Sequence, residues 1–153
     1  MRKGFTLIEV TFYSAILSLL LGGSIASAYA LIDANTHTEK QIDIAEEANF
    51  ILKKLDWILV NVETVDEPAA GESGTHLVVK KRDLSATENP LILALDKNAL
   101  FLKRGAAKET VLTTKRVGVD SFNVKHFKSD TSEYIEITFI LSGTHFEFTK
   151  YIR

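Results

Sequence analysis

The sequence predicts an α+β protein, in which one long N-terminal α-helix packs its second half on an antiparallel β-sheet. Three observations predict it. From Phe5 to Ile32 the only charged side chain is Glu9. From Ile44 to Val62 apolar residues recur four and three apart, the spacing of one helix face. Past Thr75 the pattern changes to alternation, the period of half-buried strands. A chain of 153 residues, 46% hydrophobic with only 2 prolines, has enough apolar material for one packed domain.

The first element is the apolar run. Its 28 residues, written as a helix, extend roughly 42 Å, beyond the ~30 Å hydrocarbon core of a bilayer, so the far end emerges into water. Arg2 and Lys3 stand just before it, which sets a single-pass orientation with the basic end in the cytoplasm and the C-terminal domain outside. An ordinary secretory signal shares this profile, and Ala26-Ser27-Ala28 supplies a small-residue pattern for cleavage after Ala28; an uncleaved signal anchor shares it too. Neither explains Glu9, because a carboxylate inside an apolar helix costs about 2.5–3.5 kcal/mol on insertion scales.

The run Lys3-Gly4-Phe5-Thr6-Leu7-Ile8-Glu9-Val10 resembles the class III signal of type IV pilins and type II secretion pseudopilins: a short basic leader, glycine, phenylalanine, then glutamate fifth in the mature chain. The resemblance implies a leader peptide over residues 1–4, cleavage between Gly4 and Phe5 by a prepilin peptidase, N-methylation of Phe5 and an assembly role for Glu9. It implies a pilin fold, with a transmembrane and filament-core helix over 5–32 and a head over 33–153. The implied partners are other pilin or pseudopilin subunits, the prepilin peptidase, an inner-membrane assembly platform, and membrane lipid before assembly. The implied location is the cytoplasmic (inner) membrane and then an extracytoplasmic filament of a type IV pilus, a secretion machine or a DNA-uptake (competence) apparatus.

Elementary electrostatics fits that role for Glu9. Cleavage creates an α-amine on Phe5 that titrates near pH 7.7–8.0 and is largely cationic at neutral pH. Within one helix Glu9 lies about 6 Å along the axis from it, so a neighbouring subunit displaced along a filament satisfies the carboxylate more directly. Opposite charges near 4 Å attract by about 4 kcal/mol at an effective dielectric of 20, before desolvation takes back much of it. Such a pair sets axial register.

No proline interrupts the apolar helix, a departure from the pattern of major pilins. Gly22-Gly23, with Ser24 and Ser27, are its weak points. Glycine costs about 1 kcal/mol relative to alanine in a helix, so flexing or melting is easiest there; close packing of another helix on small residues is the alternative.

Beyond Ile32 the helix is expected to continue over 33–65. Ile44, Ala48, Ile51, Leu55, Ile58 and Val62, joined by Leu52 and Leu59, form its packing stripe, and Asp66-Glu67-Pro68 is expected to end it. A Gly/Glu/Ser loop, 69–74, then leads into a β-rich half over 75–153. Strands are expected over 75–83, 91–95, 99–104, 110–114, 117–127, 134–141 and 145–152. Asp96-Lys97-Asn98 and Ser142-Gly143-Thr144 make turns. In the penultimate strand Ile135, Ile137, Phe139 and Leu141 share one face, matched by Phe146, Phe148 and Ile152 in the last. The order of this half is similar to the J/W-type minor pilins, in which a hydrophobic hairpin precedes a Val-x-x-Phe-x-Val strand; here these are 91–104 and Val119 to Val124.

Charge is unevenly divided. Residues 33–79 carry 3 Lys/Arg against 10 Asp/Glu, whereas 80–153 carry 13 against 9. Solvated faces account for most of these side chains. Beyond that, Lys80-Lys81-Arg82, Lys103-Arg104 and Lys115-Arg116 are candidates for meeting acidic helical surfaces of neighbouring subunits or, less favoured for want of interleaved aromatic residues, DNA. The chain has no cysteine, which excludes disulfides, thiolate chemistry and lipid on cysteine. His37, His76, His126 and His145 are scattered without metal-site spacing, and Asp96, Asp120 and Asp130 form no calcium-loop pattern. The expectation is a structural subunit, not an enzyme, with no catalytic, cofactor or metal residues. A membrane-anchored or secreted β-rich binding domain with an ordinary signal is the alternative.

Overall fold

The computed structural model describes residues 6–152. Gly4 and Phe5, the expected cleavage and methylation positions, lie outside the described residues. The chain divides between Gln41 and Ile42 into two compact units. A single helix, α1 (Leu7–Leu59), begins in the first and ends in the second. From Leu7 to Gln41 the first unit is helical, and its large apolar side chains there are uncovered: Leu7 is 84% exposed, Leu19 77% and Leu31 72%.

The second unit carries α1 from Ile42 onward and nine strands: β1 (Val62–Glu67), β2 (Ser73–Gly74), β3 (His76–Lys81), β4 (Leu91–Asp96), β5 (Ala99–Arg104), β6 (Thr110–Val111), β7 (Val119–Lys128), β8 (Glu133–Leu141) and β9 (Thr144–Ile152). They form two sheets instead of one. The first has the order β1-β3-β4-β5-β6 and the second β2-β7-β8-β9, with every described pairing antiparallel. The architecture is α+β, one long helix with antiparallel sheets.

The predicted stripe is the packing face. Ala48, Ile51, Leu55, Ile58 and Leu59 are buried in one cluster with Leu77, Val79, Leu91, Leu93, Leu100 and Leu102 of the first sheet. Phe122, Val124, Ile135, Ile137, Phe139 and Leu141 of the second sheet complete it. Alternation along β8 puts all four of its predicted core residues at 1% exposure or less, and Phe146, Phe148 and Ile152 pack against them.

The helix ends at Leu59, short of the expected Asp66-Glu67-Pro68 stop. Asn61 takes a left-handed backbone (φ 57°), a conformation asparagine tolerates better than most residues, and closes the helix. The β-branched series Val62, Thr64, Val65 then pairs with β3 as an edge strand. Val62 is buried as expected, but from a strand.

Two tight hairpins hold register. Lys97 and Asn98 (φ 45° and 62°) turn β4 into β5, and Ser142 and Gly143 (φ 46° and 84°) turn β8 into β9, in the left-handed conformations that two-residue hairpins require. A buried carboxylate joins helix to loop. Glu47, 7% exposed, accepts from the Thr114 amide at 2.6 Å and from its hydroxyl at 3.0 Å.

Candidate functional site

Polar residues in the apolar helix are satisfied locally. Ser14, Ser18, Ser24 and Ser27 each donate a hydroxyl to the carbonyl four residues back, at 2.8–2.9 Å. Thr11 donates to Ile8 at 2.9 Å. With backbone bonds also internal to the helix, the segment presents few unmet hydrogen-bonding groups to a surrounding apolar medium. Its most apolar 18-residue window has a mean hydropathy of 2.0 and none of it is buried, so the helix is long and apolar enough to cross a membrane.

Glu9 sits in the first turn of α1, and Thr6 immediately precedes the helix. Oε2 of Glu9 accepts both the Thr6 amide and the Thr6 hydroxyl at 2.9 Å, while the Glu9 amide donates to Thr6 Oγ1 at 3.3 Å. This reciprocal arrangement is a capping box, which satisfies amides that the first turn leaves without helical partners. The carboxylate also lies at the positive end of the helix macrodipole. Glu9 therefore has a local structural use that the charge argument misses, although the Thr-x-x-Glu spacing at residues 6–9 signals it.

Gly22 and Gly23 lie inside the uninterrupted helix, and a Cβ built on either meets no atom within 4 Å beyond the neighbouring backbone of the helix itself. This stretch of helix surface is open to a close neighbour.

Folding separates the basic sequence clusters that lie on strands. Successive strand residues point to opposite faces, so Lys80-Lys81 and Lys103-Arg104 split, whereas Lys115 and Arg116 lie in a turn and are both exposed. Lys80 faces outward and pairs with Asp66 at 2.9 Å, whereas Lys81 is 1% exposed. Its ammonium donates to the Trp57 carbonyl at 2.8 Å, lies 4.3 Å from the Trp57 ring centroid and 3.6 Å from Asp83. Lys81 is thus a core anchor and is unavailable to a partner. Arg116 reaches Asp43 at 3.9 Å.

Two histidines are engaged by chain segments that sequence separation hides. His126, buried on β7, has Pro68 O 2.9 Å from Nδ1 and Glu133 Oε1 2.9 Å from Nε2. Lys128 joins the same carboxylate at 3.1 Å. Burial raises the proton affinity of Glu133, but hydrogen bonds from His126 and Lys128 and their charges outweigh it and hold the carboxyl below its ordinary range. His76 pairs with Glu67. His145 is exposed. Asp120 accepts from the Gly143 amide at 2.8 Å, a contact that braces the β8–β9 turn.

Among the described residues, no three or more His, Asp or Glu side chains converge in a way that could hold a metal ion. The clefts are small and open; one of about 520 Å³ follows the β1–β3 connection past Glu67, Glu72 and His76. Comparisons of the chain with models of protein families, with curated proteins and with solved structures find no match.

Proposed function

We propose that the chain is a type IV pilin-like subunit, a minor pilin or pseudopilin, made as a membrane-inserted precursor and built into an extracytoplasmic filament through its N-terminal helix. The observation that carries this reading is the pairing of a wholly uncovered apolar helix with a carboxylate in its first turn, directly behind Gly4-Phe5. Lipid covers such a helix in the membrane, and other helices cover it in a filament. The α+β second unit, with its helix stripe closed by two sheets, is the kind of head such a helix would carry.

In this function the prepilin peptidase removes residues 1–4, Phe5 becomes the methylated N-terminus, and Glu9 pairs with the amine of a neighbouring subunit. The capping box supports the same role, because it uses one carboxylate oxygen to organise the helix start and directs no charge into the apolar span beyond the first turn. The protein acts structurally, with its partners being sister subunits and an inner-membrane assembly platform. N-terminal sequencing and intact mass of the protein from its native membrane test the reading. A start at N-methyl-Phe5, abolished by Gly4→Leu, is the expected result; a start at Tyr29 or an uncleaved Met1 overturns it in favour of a signal-borne binding domain.

A further inference from the structure

Trp57, the only tryptophan of the chain, is ringed by three cations. The ammonium of Lys81, the ammonium of Lys54 and the guanidinium of Arg104 lie 4.3, 4.7 and 4.8 Å from its ring centroid. Lys81 is accounted for by the Trp57 carbonyl and Asp83. Lys54 and Arg104 are different. Among the described residues neither has a carboxylate within ion-pair distance, and they flank one cleft of about 130 Å³. Lys108 and Thr110 also line it, with Leu102, Ala107 and Leu112, and none of the lining residues is acidic.

Folding assembles this cluster from three places. Lys54 comes from the half of α1 that packs on the sheets. Arg104 is the last residue of β5 and shares a face with buried Leu100 and Leu102, so alternation aims it at the helix instead of at solvent. Lys108 follows in the connection to β6. Holding two cations against one ring without a counter-ion is unfavourable unless something negative joins them.

We propose that this cleft is a binding site for a phosphate group, with Lys54, Arg104 and Lys108 as its cationic ligands and the Thr110 hydroxyl as a further donor. Three cations and a hydroxyl in a space for a few heavy atoms suit a compact dianion with several acceptor oxygens better than a single carboxylate. Burial, and then the charge of Arg104, hold Lys54 below the usual lysine range, and the attraction of a bound anion acts in the opposite direction, favouring the charged form. Free phosphate and the phosphomonoester headgroup of a lipid share the required chemistry.

The full chain in a neutral detergent is titrated with inorganic phosphate at constant ionic strength, with Trp57 emission as the readout. A saturable change is expected with phosphate and not with chloride. The Lys54→Gln/Arg104→Gln double variant should weaken the response at least tenfold, and Lys53→Gln should leave it unchanged. Thermal unfolding of the double variant checks that the fold persists, and Lys108→Gln, in an exposed connection, should weaken binding severalfold on its own. The source is separated by reconstitution into phosphatidylcholine vesicles with or without phosphatidic acid. Loss of the response to added phosphate only in phosphatidic acid vesicles assigns a lipid headgroup, and its persistence in both assigns free phosphate. No saturable response, an equal response to chloride, or an unchanged response in folded variants overturns the site, as does binding of an acidic peptide without binding of phosphate.

Discussion

Oε2 of Glu9 accepts two hydrogen bonds from Thr6, one from its amide and one from its hydroxyl, both at 2.9 Å. One carboxylate is therefore asked to do two things in the proposed filament: cap its own helix and neutralise a neighbour's amine. The two uses respond differently to substitution. Glutamine keeps the capping geometry and removes the charge, whereas Thr6→Ala loosens the cap and keeps the charge. Loss of a cap costs typically about 1 kcal/mol, but an unpaired cation in a low-dielectric bundle costs about 3–5 kcal/mol. Glu9→Gln should insert normally yet be recovered poorly in sheared filaments, while Thr6→Ala should be recovered nearly as well as wild type. Equal recovery of Glu9→Gln and wild type would remove the register role and leave Glu9 as a cap alone.

Leu55, fully buried on the helix stripe, tests the architecture of the second unit. A fragment beginning at Asp33 should be soluble and unfold cooperatively, with circular dichroism of mixed helix and strand. Leu55→Ala in that fragment should cost about 2–5 kcal/mol in denaturant unfolding. Phe50→Ala, at a half-exposed position of the same helix, should cost well under half as much. A purely helical or unfolded fragment would contradict the fold.

Much of the β half was legible because its turns carry their own chemistry. Lys97-Asn98 and Ser142-Gly143 adopt left-handed backbones, so the hairpins 91–104 and 133–152 stand out between alternating apolar residues. The helix end was not legible. Val62 continues the four-residue spacing from Ile58, and the same burial is reached by a strand once Asn61 turns the chain. β2, two residues long in a Gly/Ser loop, has no periodicity to read. The fate of Lys80-Lys81 and Lys103-Arg104 was not legible as a patch because adjacency in sequence is opposition on a strand, while the cluster around the Lys54 cleft draws on Lys54, Arg104 and Lys108. The capping box was present as Thr-x-x-Glu but hidden by its place in an apolar run.

Acid sensitivity follows from Glu133. Its folded proton affinity lies below the ordinary 4.5, so the unfolded chain takes up a proton at higher pH than the folded one. The stability contributed is complete above the unfolded pKa and disappears as pH falls through the lower folded value. Asp66, held down by the Lys80 hydrogen bond against partial burial, acts in the same direction. Denaturant midpoints should therefore fall on going below about pH 4.5. Glu133→Gln should lower the neutral-pH midpoint and flatten that acid limb; an acid limb as steep as that of wild type would show that Glu133 contributes nothing to it.

Gly105 is constrained more tightly than the other described glycines. Its φ is +49°, and a Cβ there would stand 2.1 Å from the Thr87 carbonyl oxygen, a backbone atom that cannot swing aside. Gly105→Ala should cost about 1–3 kcal/mol or more by overpacking alone. Gly118→Ala is the comparison, since its Cβ would meet only the Asn98 side chain at 3.9 Å, and it should change stability little. Comparable losses at the two positions would show that the β5 end is free to shift, which would also loosen the Arg104 arm of the proposed phosphate cleft.

In the proposed filament, Gly22 and Gly23 are the place where the helix would open most easily on leaving the membrane. The described helix runs through both, so their effect lies in how cheaply it opens there, and two glycines lower helix stability by about 2 kcal/mol relative to two alanines. If local opening is used in assembly, the Gly22→Ala/Gly23→Ala variant should reach the membrane at the wild-type level yet enter filaments less well. Added β-carbons meet nothing within 4 Å in the single chain beyond the neighbouring backbone of the helix itself, so the substitution does not disturb the subunit itself. Close helix packing would give a different series: alanine tolerated, and Gly22→Leu excluded by bulk. The expected outcome is a defect already visible with alanine, measured as the ratio of filament to membrane protein. A ratio unchanged by alanine but abolished by leucine would assign these glycines to packing and leave the helix rigid through assembly.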